Sequence, residues 1–463
     1  MLGARLPSRS ETFVYRELFA LRDAGLDVRP ASVRAPARGL GEPRLETLAE
    51  GARVVYGSRA TLGGVWWIGI MVAGFWPRAW ATLWRAHRDA WGDASLSLKD
   101  RVKCFVQAVG AVSLAWRCRR DGLTHIHAHM AHVPTTVAMY AAHALRLPFS
   151  FTGHAVDLFR DGRLLAVKAR RAHWIAAISR WHVGWYTREL GVDPAKVHVI
   201  RCGVDVPAGD TLEEAEPVVL CVARLVPKKG VDRLIRAFDA VAGRHPAWRL
   251  EVVGDGPERE ALEALVTGCA ASSRIHLMGA LPHREVIARI RRCGVFALAA
   301  RQADDGDRDG IPVVLMEAMA AGRLVISGAG PAIGELVEPG VTGILVDEVP
   351  GTDEKEVVGR LAGALEHAMG GVDGALTVGA GGAPAGAAGD QIVTSDGDPG
   401  DSLNMGITMP AAGAGTAPTA PEVSAIRHRA RARVAREFSS DRNAARWIRA
   451  FQEGRRTESA RTP

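Results

Sequence analysis

The strongest constraint on the fold is an alternation that runs twice along the chain. From about residue 121 to 346, short apolar runs alternate with stretches whose apolar residues recur at helical spacing. Parallel strands joined by crossover helices satisfy such a pattern, because the helices cover both faces of each sheet. In the first half the predicted strands are 26–33, 52–56, 123–128, 148–152, 174–177 and 197–201. In the second half they are 218–223, 249–253, 274–278, 295–299, 324–327 and 343–346. Between the two sets, 202–217 holds Gly203, Pro207, Gly209, Asp210 and four further acidic residues, and reads as an interdomain connection. The expected architecture is α/β: two Rossmann-like, doubly wound domains, 1–202 and 203–370, facing a central cleft.

Two segments break the alternation. Residues 371–420 contain 12 Gly, 11 Ala and 4 Pro with no aromatic or basic residue, too little apolar surface to offset the entropy of ordering. A disordered insertion is expected there, between a helix near 353–369 and a final pair near 423–438 and 441–452. The tail, 421–463, is expected to return its last helix to the first domain. The other break is at the start, where a doubly wound domain needs a buried strand and residues 1–7 supply a truncated one or a stub. Residues 1–23 lack an apolar core followed by a small-residue cleavage site. The six cysteines form no CxxC pair, so a reduced cytoplasmic setting without structural zinc is expected.

Charge is distributed unevenly. Residues 1–202 carry 29 Lys and Arg against 15 Asp and Glu, whereas 203–370 carry 18 against 26. The basic first half carries no nucleic-acid-binding motif, so a nucleic-acid partner is not expected. Its most apolar run, 62–76, includes Trp66, Trp67, Ile68, Ile70, Met71, Phe75 and Trp76. Fifteen residues fall short of the roughly 20 that cross a bilayer. Trp80, Trp84 and Trp91 follow among Arg78, Arg85 and Arg88, a mixture typical of interfacial helices. Packing in an ordinary core remains the competing reading, and an anionic membrane surface is the partner this segment suggests.

Four clusters carry chemistry. His125, His127 and His129 alternate on a predicted strand, where they share a face and line a cleft, support the core or ligate a metal; His132 follows on the next turn. His154 stands between Gly153 and Ala155 just after a strand, on a loop with little bulk to bury it. Arg224, Lys228, Lys229 and Gly230 lie between a strand and an amphipathic helix, where cations and free backbone N–H groups suit a diphosphate. Finally, Asp309 and Glu317 flank a Gly310-Ile311-Pro312 turn and the start of a helix. The aspartates 305, 307 and 309 imitate a calcium loop, but Met316 occupies the position of the bidentate glutamate, so calcium is rejected.

Taken together the motifs resemble the retaining glycosyltransferases of family 4, which have the GT-B fold, and their exopolysaccharide and colanic-acid branch in particular. The resemblance rests on Ser10-Glu-Thr-Phe13, His125-Ile-His-Ala-His129, Ser150-Phe-Thr-Gly-His154, Ala223-Arg-Leu-Val-Pro-Lys-Lys-Gly230, Val253-Gly-Asp-Gly-Pro257, Gly310-Ile-Pro-Val-Val-Leu-Met-Glu-Ala318 and Glu335-Leu-Val. It implies transfer of a hexose from a nucleotide-diphosphate sugar to a glycan or polyprenyl-linked saccharide, with retention, without a metal or other cofactor. Arg224 and Lys229 would neutralise the donor diphosphate, and Glu317 would hold the ribose. The N–H groups of Gly310 and Ile311 would touch sugar or phosphate. Asp309 would orient the sugar, and His154 would lie near the anomeric carbon. Ser10, Glu11, His129 and His132 would line the acceptor side of the cleft. Asp309 departs from the Glu usual in the family. A sugar-nucleotide epimerase of the same architecture and a weakly active binding relic are the alternatives. The expected location is cytoplasmic, peripheral on the inner face of the membrane.

Overall fold

The computed structural model describes residues 1–8, 11–56, 62–209, 214–348, 351–379 and 419–459. Among the described residues thirteen strands form two sheets, all parallel. The first holds β1 (Leu2–Gly3), β2 (Ala31–Arg34), β3 (Arg53–Tyr56), β4 (Ile126–His129), β5 (Phe149–Gly153), β6 (Trp174–Ala177) and β7 (Val197–Val199), in the order β3-β2-β1-β4-β5-β6-β7. The second holds β8 (Glu216–Val222), β9 (Arg249–Val253), β10 (Ile275–Gly279), β11 (Cys293–Leu298), β12 (Leu324–Gly328) and β13 (Ile344–Val346), in the order β10-β9-β8-β11-β12-β13. Strand order reverses between β1 and β4 and again between β8 and β11. Those reversals open crevices at the carboxyl ends of the strands, where ligands of such sheets bind. This is the GT-B arrangement.

The first strand is a stub. Leu2 pairs with Ala31 on one side and Ala128 on the other, so two residues form an interior strand, third of seven, in the sheet. The apolar run 26–33 is strand only from Ala31. Leu26 donates its N–H back to Leu21 to close the preceding helix, and Leu26 and Val28 pack beside Trp447 rather than in the sheet. Apolar character there serves the last helix, which periodicity cannot distinguish from a strand.

The expected insertion needs correction. Residues 371–379 continue the helix Glu354–Gly379, with Val372 buried and Trp248 Nε1 donating to Asp373 at 2.8 Å. Packing against a fully buried tryptophan outweighs the poor helix propensity of the glycines. The rest of that expectation, 380–418, lies outside the described residues. The helix Ala420–Glu437 then buries Val423, Ala430 and Val434 in the second core. The last helix, Ser440–Ser459, crosses back and buries Trp447 against the first sheet. The two crossings lie side by side: Val204 donates to Phe438 O and Ser440 donates to Val204 O.

Candidate active site

The carboxyl end of β4 and β5 builds one wall. His129 ends β4 and is buried, while His154 follows β5 directly. Asp157 fixes the turn by accepting from the backbone N–H groups of His154 and Ala155, and from Ala131 at 2.6 Å. One carboxylate thus ties the loops after both strands together. The helix Thr12–Asp23 contributes Phe13 and Glu17, one turn apart and on one face. Phe13 lies 4.7 Å, centroid to centroid, from the His154 ring. Glu17 Oε1 lies 2.9 Å from His129 Nε2, and His129 Nδ1 lies 3.4 Å from His154 Nε2. Burial pushes the His154 pKa down to about 3, so the ring is neutral at pH 7.

The alternating histidines divide in function. His125 and His127 both reach Ser150 Oγ, at 2.6 and 2.8 Å, and both stack on Trp174. His127 also meets Thr152 and the edge of Trp447. These two belong to the packing beneath the last helix, and only His129 reaches the cleft. Glu17, His127 and His129 offer ligand atoms within 4.8 Å of one another. All four ring nitrogens are already partnered by Ser150, Thr152, Glu17 and His154, so this donor set does not fit a metal without being rebuilt. His132 starts the next helix, half-buried, with Nδ1 unpartnered among the described residues and its carbonyl held by Lys168. Glu11 precedes the helix Thr12–Asp23, and burial raises its pKa. Ser10 lies outside the described residues.

The second wall comes from the other domain. Lys228 and Lys229 sit on a short turn closed by Gly230, whose φ of +59° and approach to Ala299 O (2.0 Å from an added Cβ) exclude any other residue. Lys229 Nζ donates to Asp309 at 2.6 Å, and the buried Lys228 bridges Asp307 at 3.0 Å and Asp309 at 3.4 Å. Burial works to raise the Asp309 pKa, but the Lys229 and Lys228 charges outweigh it and hold the carboxyl below its ordinary value. Arg224 is exposed at the end of β8. Gly310 faces the first domain directly: a Cβ there would lie 2.9 Å from His154 O and 2.6 Å from Ile178 Cδ1. Ile311 is buried beside it, and the helix Val313–Ala320 follows.

Glu317, on that helix, is tied across the cleft. Its Oε1 accepts from Arg16 Nη1 at 2.8 Å and lies 3.0 Å from His283 Nε2, which in turn is 2.6 Å from Arg16 Nη2. Burial would raise its pKa, yet the His283 hydrogen bond and the Arg16 charge more than offset that. A cavity of about 650 Å³ opens beside this knot, lined by Tyr15, Arg16, Phe19, Asp205 and His283. Glu335 forms a second tie, accepting from the N–H groups of Arg180 and Trp181 at 3.0 and 2.7 Å and from Arg201. It caps the first-domain helix Arg180–Leu190, where a carboxylate is favoured by the helix dipole.

The structure therefore brings His129, His154, Gly310, Ile311 and the Lys229–Asp309 pair to one cleft, with Glu317 beside them. Sequence reading missed Arg16, Glu17, His283 and Asp157. The spacing Phe13-x-x-Arg16-Glu17 was the available signal: three chemically distinct side chains on one face of a first helix.

The chain resembles known glycosyltransferases in both halves. The family model described as Glycosyl transferases group 1 matches residues 207–367, and that for Glycosyltransferase Family 4 matches 103–207. A putative colanic acid biosynthesis glycosyltransferase, WcaL of Salmonella typhimurium, is 36% identical over 179 residues, 38% of this chain and 43% of that protein. A GDP-mannose-dependent phosphatidylinositol monomannoside mannosyltransferase of Mycolicibacterium smegmatis is 37% identical over 138 residues, 30% of this chain and 35% of its own length. The matched part thus spans less than half the length of these curated relatives. Anabaena HepE, solved with UDP, shares the fold at a TM-score of 0.61 and 16% identity, over 98% of this chain and 99% of HepE. The two family models together match more than half of the chain, which belongs with the group 1 and family 4 glycosyltransferases they describe, and its two parallel sheets have the GT-B arrangement.

Proposed function

We propose that the chain transfers a hexose from a nucleoside-diphosphate sugar to a glycan or polyprenyl-linked saccharide, with retention, at the cytoplasmic face of a membrane. The observation that carries this reading is the meeting of the two walls. His154 and its carbonyl from one domain lie against the Gly310 backbone of the other, beside Lys229, Asp309 and Glu317. A sugar held there lies between a neutral imidazole and the start of a helix.

In this reading the diphosphate lies against the N-terminal end of Val313–Ala320 and takes its countercharge from Arg224 and Lys229, with no metal or other cofactor. Lys229 leaves Asp309 in part to meet it. Glu317 holds the ribose hydroxyls once Arg16 is displaced. The bond from C1 to the β-phosphate oxygen breaks, and its electrons stay on that oxygen. The acceptor oxygen bonds to C1 on the same face, and its proton passes to the departing phosphate. His154, uncharged, donates or accepts hydrogen bonds to the sugar without adding a positive charge near the developing oxocarbenium centre. His129, steadied by Glu17, holds the orientation of His154.

The test is transfer of labelled sugar from a panel of UDP- and GDP-hexoses to lipid-linked saccharides, with the anomeric configuration of the product read by NMR. The panel spans both bases because HepE binds UDP and the mycobacterial relative is named for GDP-mannose. Acceptor-dependent product with the donor's configuration is expected. Release of nucleoside diphosphate without acceptor, or an epimerised sugar, would overturn it.

A further inference from the structure

The helices Leu62–Phe75 and Pro77–Gly92, inserted between β3 and β4, turn apolar side chains outward. Trp67, Ile70, Met71 and Phe75 are 65%, 59%, 54% and 82% exposed, and their spacing puts them on one face. The opposite face is packed tightly: a Cβ at Gly69 would lie 2.4 Å from Val109 Cγ1. On the second helix Trp80, Trp84, His87 and Trp91 form another outward stripe, with His87 stacked between Trp84 and Trp91. Ala79, Thr82, Leu83, Ala86 and Ala90 are buried on its inner side. A core-facing helix turns its aromatic side inward, and these two do the reverse.

Charge identifies what covers this surface. Arg78 and Arg88 are exposed and Arg85 half-buried, and none has an acidic partner among the described residues. The single acid of the pair, Asp89, is turned inward to Arg171 and Tyr140. Outward-facing tryptophans with unpaired arginines match the boundary between anionic headgroups and acyl chains. Fourteen residues of Leu62–Phe75 reach only about 21 Å, short of the roughly 30 Å of a hydrocarbon core, so the helix lies in the interface. A run of contacts links the Trp91 end to the cleft. Arg101 donates to Trp91 O, its neighbour Asp100 accepts from Arg163 on the loop after β5, and Arg160 of that loop reaches Asp305 of the other domain.

We propose that these two helices dock the first domain on an anionic bilayer, with the tryptophan stripe at the acyl boundary and the cleft mouth at the headgroups. The proposal deepens the reading of a membrane-borne acceptor but is measured without substrate, so either can fail alone. The full chain is mixed with vesicles of phosphatidylcholine alone or with phosphatidylglycerol, some carrying brominated acyl chains, and bound protein is counted by sedimentation. Binding to the anionic vesicles and quenching of tryptophan fluorescence by the brominated chains are expected. Joint Trp80→Glu and Trp84→Glu substitution should lower the bound fraction about tenfold, and Arg78→Glu with Arg88→Glu should remove the anionic preference. Both variants should melt like the parent and transfer sugar to a water-soluble acceptor at the parent rate. Equal binding by parent and variants, or none by the parent, would overturn the proposal. So would a dimer in lipid-free solution that the tryptophan substitutions dissociate, since the face would then be covered by a second copy.

Discussion

Arg16 and Glu317 are 301 residues apart and 2.8 Å from each other, each from a different domain and each largely buried. Their pairing closes the cleft at the carboxylate that the proposed mechanism gives to the ribose. A nucleotide entering there competes with Arg16 for Glu317. Arg16→Ala is therefore expected to tighten nucleotide-sugar binding a few-fold while lowering stability by about 2 kcal/mol, because Glu317 keeps only His283. Calorimetric titration and thermal melts of the variant check both signs. Weaker binding would mean Arg16 holds the nucleotide rather than the empty site.

Glu317→Ala removes the acceptor for ribose itself. We expect sugar transfer to fall at least about 100-fold with the protein still folded by circular dichroism. Transfer at the parent rate would displace Glu317 from the donor site.

Gly310→Ala tests the meeting of the walls. The new methyl group would press on Ile178 Cδ1 at 2.6 Å and His154 O at 2.9 Å. The domains must separate slightly, and kcat should fall about tenfold or more with a smaller loss in melting temperature. An unchanged kcat would show that the observed approach is not the one in which transfer occurs.

Stability should depend on pH through the buried histidines. Burial lowers His154 to about 3 and His182 to about 4, and pushes His127 down as well. Above pH 6.5 these rings are neutral whether the chain is folded or not, and they contribute no pH dependence. As the pH falls through 6.5 towards 4 the unfolded chain takes up protons that the folded one refuses, so stability is lost across that window. Melting temperatures between about pH 7 and pH 5 should drop steadily, and less so in His154→Gln. A flat profile would contradict the burial of these rings.

Asp373→Ala addresses the segment that composition misjudged. It leaves the buried Trp248 N–H without its 2.8 Å acceptor and should cost roughly 1–3 kcal/mol in denaturant unfolding. An unchanged midpoint would return residue 373 to a role outside the packed fold.

The sequence by itself determined the two parallel sheets and where on them the chemistry stands. Strand and helix periods are local, and His154, Lys229, Gly310 and Glu317 occupy positions set by short motifs next to strands. It also carried the outward tryptophans, but only as a run compatible with either a core or a bilayer. Tertiary structure decided which face they present, because exposure depends on what packs behind, here Val109 against Gly69. It likewise separated His129 from His125 and His127, since the last helix covers the latter two with Trp447 and Phe451. Arg16, Glu17 and His283 carried no local signal beyond their spacing. Their roles exist only once a helix near residue 16, a strand ending at residue 129 and a helix near residue 317 converge, and that convergence is a property of how the two sheets face each other.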